Sequence, residues 1–256
     1  MAKKTPLAEK LEAIRARITD AATKARRDPA EVTLIAVTKN AAPEQIREII
    51  QLGVADLGES RVQVLQQKVA QINEFHHRRV QAADVNVAGK LRWHMIGHLQ
   101  RNKIKALLPL VSHIHSIDTL RLAEEIDVIS DKSGRKMPVL LQVNTAEEPQ
   151  KYGVAVGAAL HLAEQIDTMS GLQLVGLMSM APYGATESVT RRLFARTREV
   201  FEEIKWQKIG GASFRHLSMG MSADFEPAIL EGSTMVRIGT TLFGEATGPE
   251  EKDDED

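Results

Sequence analysis

Short apolar runs rich in Val, Ile and Leu recur along this chain, and a segment with three- or four-residue apolar spacing separates most of them. The first run, VTLIAVTK at residues 32–39, has no polar alternation and reads as a strand buried on both faces. Others fall at residues 54–57, 92–96, 113–117, 138–144, 172–180, 214–219 and 235–238. Between them, Pro43 opens a helix whose Ile46, Ile49 and Ile50 share one face, and Gly53 ends it. Helical spacing returns at Leu65, Val69 and Ile72, and again over residues 104–108, 119–129, 158–166 and 191–208. Leu7, Leu11, Ile14 and Ile18 place a further amphipathic helix ahead of the first strand. Eight strands, most of them followed by a helical segment, in 256 residues match a (β/α)8 barrel of the TIM type, which typically takes about 250 residues. An open doubly wound sheet shares the alternation. Its Gly-rich nucleotide loop is missing, however, because Lys39, Asn40, Ala41 and Ala42 follow the first strand. The chain is therefore expected to form one α/β barrel domain over residues 1–244, followed by an acidic tail at 245–256. Residues 75–90, which lack clean periodicity, are expected to form an inserted loop.

Composition narrows the function classes. With 43% hydrophobic and 26% charged residues, the chain can close a sizeable core. The last eight residues hold six acids and one lysine, so they account for −5 of a net charge of −1 and leave +4 elsewhere, too little for a nucleic-acid footprint. No apolar run approaches the roughly 18–20 residues that span a bilayer, and Glu9, Glu12 and Asp20 interrupt the N-terminal segment. The expected location is the cytoplasm, without membrane contact. Zero cysteines exclude disulfides, thiolate metal sites and cysteine nucleophiles.

In such a barrel the chemistry sits where the strands end. The ends here carry Lys39, Glu59 and Ser60, His94, Asp118, Asn144, Met180, residues 218–222 and residues 237–240. Ser218, Gly220 and Ser222 follow the seventh run, while Gly239, Thr240 and Thr241 follow the eighth. Glycine lets backbone approach a ligand, hydroxyls donate, and free N–H groups at a helix start attract an anion. The loops after strands 7 and 8 are a frequent phosphate site in barrels; either alone also reads as a plain cap or turn. Lys39 closes a strand expected to be buried. Desolvation would favour its neutral amine, which condenses with carbonyls as a Schiff base; the competing reading is a salt bridge at the barrel rim. A carbonyl-bearing phosphate ester such as pyridoxal 5′-phosphate satisfies both the lysine and the two loops. Arg237 then suits the pyridine nitrogen as a permanent cation, or else an inter-strand ion pair.

At these residues the chain resembles the pyridoxal-phosphate homeostasis proteins, also called the YggS or PROSC family, whose barrel is similar to the N-terminal domain of alanine racemase. The resemblance rests on LIAVTK ending at Lys39, LGES at 57–60, WHMIGHLQRNK at 93–103, NTAEEPQKYGV at 144–154, LMSM at 177–180, HLSMGMSADFEPAI at 216–229 and VRIGTTLFG at 236–244. It implies a cofactor imine at Lys39, phosphate contacts from Ser218, Ser222, Gly239 and Thr240, and Arg237 near the ring nitrogen. Ser60 stands where the family usually has Asn, which places that side chain's contact in question.

His94 and His98 are separated by Gly97 and do not form a zinc helix motif, and His113 and His115 on one strand face read as packing residues. No metal is assigned. Met178, Met180, Met219 and Met221 read as adaptable packing around the pocket, and Trp93 and Tyr152 as structural aromatics. Three functions compete: a protein that holds pyridoxal 5′-phosphate for vitamin B6 homeostasis without turnover, which is favoured; a racemase-like enzyme; and a Schiff-base aldolase. The expected partners are the cofactor and cofactor-dependent apoenzymes, with the protein a monomer.

Overall fold

The computed structural model describes residues 4–81, 90–148 and 152–245. Its strands are β1 (Thr33–Val37), β2 (Asp56–Glu59), β3 (Arg92–Met95), β4 (His113–Ile117), β5 (Met137–Asn144), the two-residue β6 (Val154–Ala155), β7 (Leu172–Met178), β8 (His216–Ser218) and β9 (Met235–Ile238). All pair in parallel, in the order β4-β3-β2-β1-β9-β8-β7-β5, and β4 pairs with β5 to close the circle. β6 lies outside that circle, alongside the end of β5. The result is an eight-stranded (β/α)8 barrel.

The helices are α1 (Pro6–Lys24), α2 (Pro43–Gln51), α3 (Val62–Gln81), α4 (Ile104–Leu107), α5 (Leu120–Lys132), α6 (Val156–Asp167), α7 (Glu187–Trp206), α8 (Phe225–Leu230) and α9 (Thr240–Phe243). Thr5 caps α1 by accepting from the Ala8 N–H at 3.2 Å. The predicted stripe Leu7, Leu11, Ile14 and Ile18 is buried. Arg17 clamps α1 onto α8 with two bonds to Glu226, 2.8 and 2.7 Å.

Strand alternation sorts the core into two compartments. Ala36 and Val236 face the helices within the large outer core, whereas their neighbours Ile35 and Met235 join Leu140, Val175 and Met178 in a separate cluster inside the barrel. Each fully buried aliphatic side chain contributes about 1.5–3 kcal/mol.

Two expectations need correction. β2 starts at Asp56 rather than at residue 54, because Gly53 takes a φ of +86° and the Val54 N–H bonds the Ile49 carbonyl, finishing α2 first. Residues 75–81, read as loop, continue α3. Where its apolar periodicity stops, an Arg78–Glu74 ion pair and a 2.8 Å Gln81–His77 hydrogen bond, each four residues apart, support the last turns. Residues 82–89 of the expected insertion and 246–256 of the acidic tail lie outside the described residues.

Candidate functional site

Ser218 is the last residue of β8, and the chain beyond it turns into α8. The turn needs Gly220: its φ is +89°, and a Cβ there would lie 2.6 Å from the Ala228 Cβ and 2.7 Å from the Phe225 Cα. The Arg237 N–H donates to the Gly220 carbonyl at 3.0 Å, so this loop runs along β9. Ser222 then joins the two loops. Its Oγ accepts from the N–H groups of Gly239 at 3.2 Å and Thr241 at 3.4 Å. These are donors at the start of α9, and the neighbouring Thr240 is exposed. The Gly/Ser/Thr elbows singled out in the sequence thus form one surface.

β1 pairs with β9 from Thr33↔Met235 to Ala36↔Ile238, which sets Lys39 beside the Gly239 loop. A Cβ on Gly239 would stand only 3.2 Å from the Val37 carbonyl oxygen. The strand stops at Val37, and Lys39 is exposed in the following turn. The premise that burial strips its ammonium of water is therefore wrong; its reach and neighbours, not desolvation, recommend it. Lys68 of α3 braces this turn. Its Nζ donates to the Thr38 carbonyl at 2.5 Å and to Glu59 Oε2 at 2.8 Å. Glu59, fully buried, also accepts from the Ser60 N–H at 2.8 Å and the Thr38 hydroxyl at 3.3 Å.

Arg237 is buried at 3% exposure and projects into the barrel. Its guanidinium donates to the Ser218 carbonyl (2.7 Å), the Ser218 Oγ (2.6 Å) and the Ser179 carbonyl (3.1 Å). Burial lowers it to about 10, against the attraction of Asp224, so it remains a cation at neutral pH. Ser218 is fully buried, and its hydroxyl also meets His115 Nδ1 at 2.9 Å. The chain continues down the interior: His115 Nε2 lies 2.9 Å from His94 Nδ1, and His94 Nε2 lies 3.0 Å from Asp56 Oδ1. Arg92 closes it with bonds of 2.6 and 2.5 Å to Asp56. Burial would raise the Asp56 carboxyl, but the bonds from His94 and Arg92 prevail and hold it at about 2. Burial pushes His115 well below the usual imidazole value, His113 to about 3 and His216 to about 4.

Residues 10–247 match the family described as alanine racemase, N-terminal domain. The chain is 37% identical over 237 residues to the pyridoxal phosphate homeostasis protein of Aquifex aeolicus, covering 93% of this chain and 97% of that one. It is 36% identical over 241 residues to the protein of the same name from Escherichia coli, covering 93% and 96%. The chain belongs to the pyridoxal phosphate homeostasis family. Among solved structures, PipY of Synechococcus elongatus with PLP bound superposes with a TM-score of 0.78 at 34% identity, over 93% of this chain and all of that one. Alanine racemase of Clostridium difficile shares the fold, with a TM-score of 0.67 at 12% identity over 94% of this chain and 57% of its own.

Within this pyridoxal phosphate homeostasis fold, Lys39, Ser222, Gly239 and Thr240 gather on adjacent strand ends at one mouth, and Arg237 lies in the interior beneath them. Ser218 differs in that its hydroxyl is already engaged by Arg237 and His115. His94 and His115 are buried, and among the described residues no group of three or more His, Cys, Asp or Glu is placed to hold a metal. Trp93 is buried at 3% exposure; Tyr152 is half exposed and stacks on His98 with ring centroids 3.9 Å apart. Met178 and Met219 are core residues, whereas Met180 is 38% exposed. No helix of the described residues is long and apolar enough to cross a membrane. Asp56, Glu59 and Lys68 went unassigned as site residues. The only sequence signal for Asp56 and Glu59 was an acid at each end of a short apolar strand.

Proposed function

We propose that this protein holds pyridoxal 5′-phosphate at the C-terminal mouth of its barrel and acts in vitamin B6 homeostasis without efficient substrate turnover. The observation that carries the reading is the convergence of the β8 and β9 loops on Ser222, beside an exposed lysine and above a buried arginine that, among the described residues, no carboxylate meets at hydrogen-bonding distance. The residues present fit the group. Bound there, it supplies an aldehyde for condensation with a primary amine and a phosphate dianion for the loops. Lys39 offers the amine. Ser222, whose Oγ accepts from the Gly239 and Thr241 N–H groups and keeps its own proton to donate, and the exposed Thr240 offer hydroxyls suited to an anion. Arg237 offers a fixed positive charge that disfavours a proton on a facing ring nitrogen, which weakens carbanion chemistry. The relatives' names, and the PLP-bound state of PipY, agree with this reading. Residues 1–244 act as one ligand-holding unit, in the cytoplasm, as a monomer that passes cofactor to apoenzymes.

The test begins with the purified protein mixed with pyridoxal 5′-phosphate, where a new visible absorbance is expected. Borohydride reduction and peptide mapping should then place the label on Lys39; a label on another lysine refutes the assignment. Turnover is examined by offering amino acids to the loaded protein and scoring racemisation, transamination and decarboxylation. Robust turnover that vanishes in Lys39→Ala would make this an enzyme.

A further inference from the structure

The interior chain from Arg237 to Asp56 has two ends whose roles are fixed by chemistry. A guanidinium only donates, and an ionised carboxylate only accepts. Asp56 must therefore receive a proton from His94 Nε2, at 3.0 Å. A neutral His94 then presents Nδ1 as an acceptor, and the group facing it at 2.9 Å is His115 Nε2, which must carry a hydrogen. A neutral His115 in turn presents Nδ1 as an acceptor to the Ser218 hydroxyl, at 2.9 Å. Ser218 Oγ keeps a lone pair for the Arg237 N–H, at 2.6 Å. Every bond in this arrangement has one donor and one acceptor. If His94 carried both protons, His115 would have to donate to Ser218, filling the oxygen from two sides. The hydroxyl proton would then have no acceptor within the chain. Full burial of His115 and Ser218, and 1% exposure of His94, make such a mismatch costly.

We infer that Asp56, His94 and His115 are positioning residues for Arg237, acting through the Ser218 hydroxyl. They come from β2, β3 and β4, none of which pairs with β9, and reach it through the barrel interior. Asp56 sets the direction of every hydrogen in the chain, and that direction makes Ser218 an acceptor aimed at the guanidinium. Burial favours the neutral form of His115, in keeping with this polarity. The assignment also gives the Ser218 side chain a task other than touching phosphate. It rests on the reading that Arg237 faces the bound cofactor.

The experiment has two arms. In cofactor-free protein at pH 7.5, long-range 1H–15N correlation of the imidazoles should show His94 and His115 both neutral with hydrogen on Nε2. Hydrogen on His115 Nδ1, or a doubly protonated His94, overturns the inference whether or not the protein binds cofactor. In protein loaded with pyridoxal 5′-phosphate, Ser218→Ala and His115→Leu should each raise the cofactor Kd about tenfold, the loss of one bond to a charged group, and alter the visible band. His115→Gln, whose amide offers both a donor and an acceptor, should recover part of the affinity and of the band. Wild-type Kd and spectrum in Ser218→Ala would overturn the inference. Absence of cofactor binding by wild-type protein would instead refute the functional reading, leaving the first arm to decide on the chain.

Discussion

Lowering the pH should destabilise this protein steeply, because three imidazoles lying within the fold are held neutral. His113 sits at about 3, His216 at about 4 and His115 well below the ordinary imidazole value, burial being the first cause in each. In the unfolded chain each returns to roughly 6.5. Between those limits the unfolded state binds more protons, so stability rises with pH: it is complete above about pH 6.5 and is lost as pH falls toward about 4. The slope counts the protons taken up on unfolding, so it is full only while each native imidazole stays neutral. One proton taken up on unfolding is worth about 1.4 kcal/mol per pH unit, and near pH 5.5 about nine-tenths of each unfolded imidazole is charged. Three imidazoles give nearly 4 kcal/mol per pH unit; partial solvent screening of His113 and His216 reduces this to about 3. Against a domain stability of about 5–15 kcal/mol, two pH units are decisive. Urea unfolding of cofactor-free protein at pH 7.5, 6.5, 5.5 and 5.0 measures the slope directly. His216→Gln, outside the chain that reaches Arg237, should flatten it by about 1 kcal/mol per pH unit. A wild-type stability that is level from pH 6.5 to 5.0, or a His216→Gln slope equal to wild type, would refute the reasoning.

Three further outcomes are expected. Ser222→Ala should weaken pyridoxal 5′-phosphate by about 1–3 kcal/mol and pyridoxal hardly at all, as read from parallel titrations; equal losses would place the phosphate elsewhere. Lys68→Met should destabilise the fold by about 3–5 kcal/mol by leaving Glu59 buried and unpaired, while adding Glu59→Gln should recover much of that in denaturant titrations. Gly176→Ala should cost about 3 kcal/mol or more, because its Cβ would fall 1.8 Å from the His216 carbonyl oxygen within the sheet, and an unchanged melting temperature would contradict that geometry.

The barrel was legible because its strands are local events: every predicted run overlaps an observed strand, although only Asp56 and Leu57 of β2 fall within theirs. The loops at Ser222 and Gly239 were legible because glycine and hydroxyl residues clustered after two successive strands. What stayed hidden needed the closed circle. Asp56, His94 and His115 look like isolated polar residues in three separate runs, and nothing local shows that their inward faces meet. Lys39 looked buried because the apolar run leads straight into it; the turn that exposes it is held by Lys68, 29 residues away in sequence. The polar end of α3 was missed because charged pairs, not an apolar stripe, sustain it.

β1 and β9 are the first and last barrel strands in the chain, and they are neighbours in the sheet. Lys39 and the Gly239 loop therefore meet across the seam where the circle is completed. On the proposed assignment, the amine would emerge during synthesis almost two hundred residues before the loop that is to hold the anion, so a nascent chain lacking β9 would have half a site. Ligand capture at that seam would then report a finished barrel. A molecule bridging the seam also ties together the two strands that a cut near either terminus would release first, so occupancy should guard the chain ends against proteolysis.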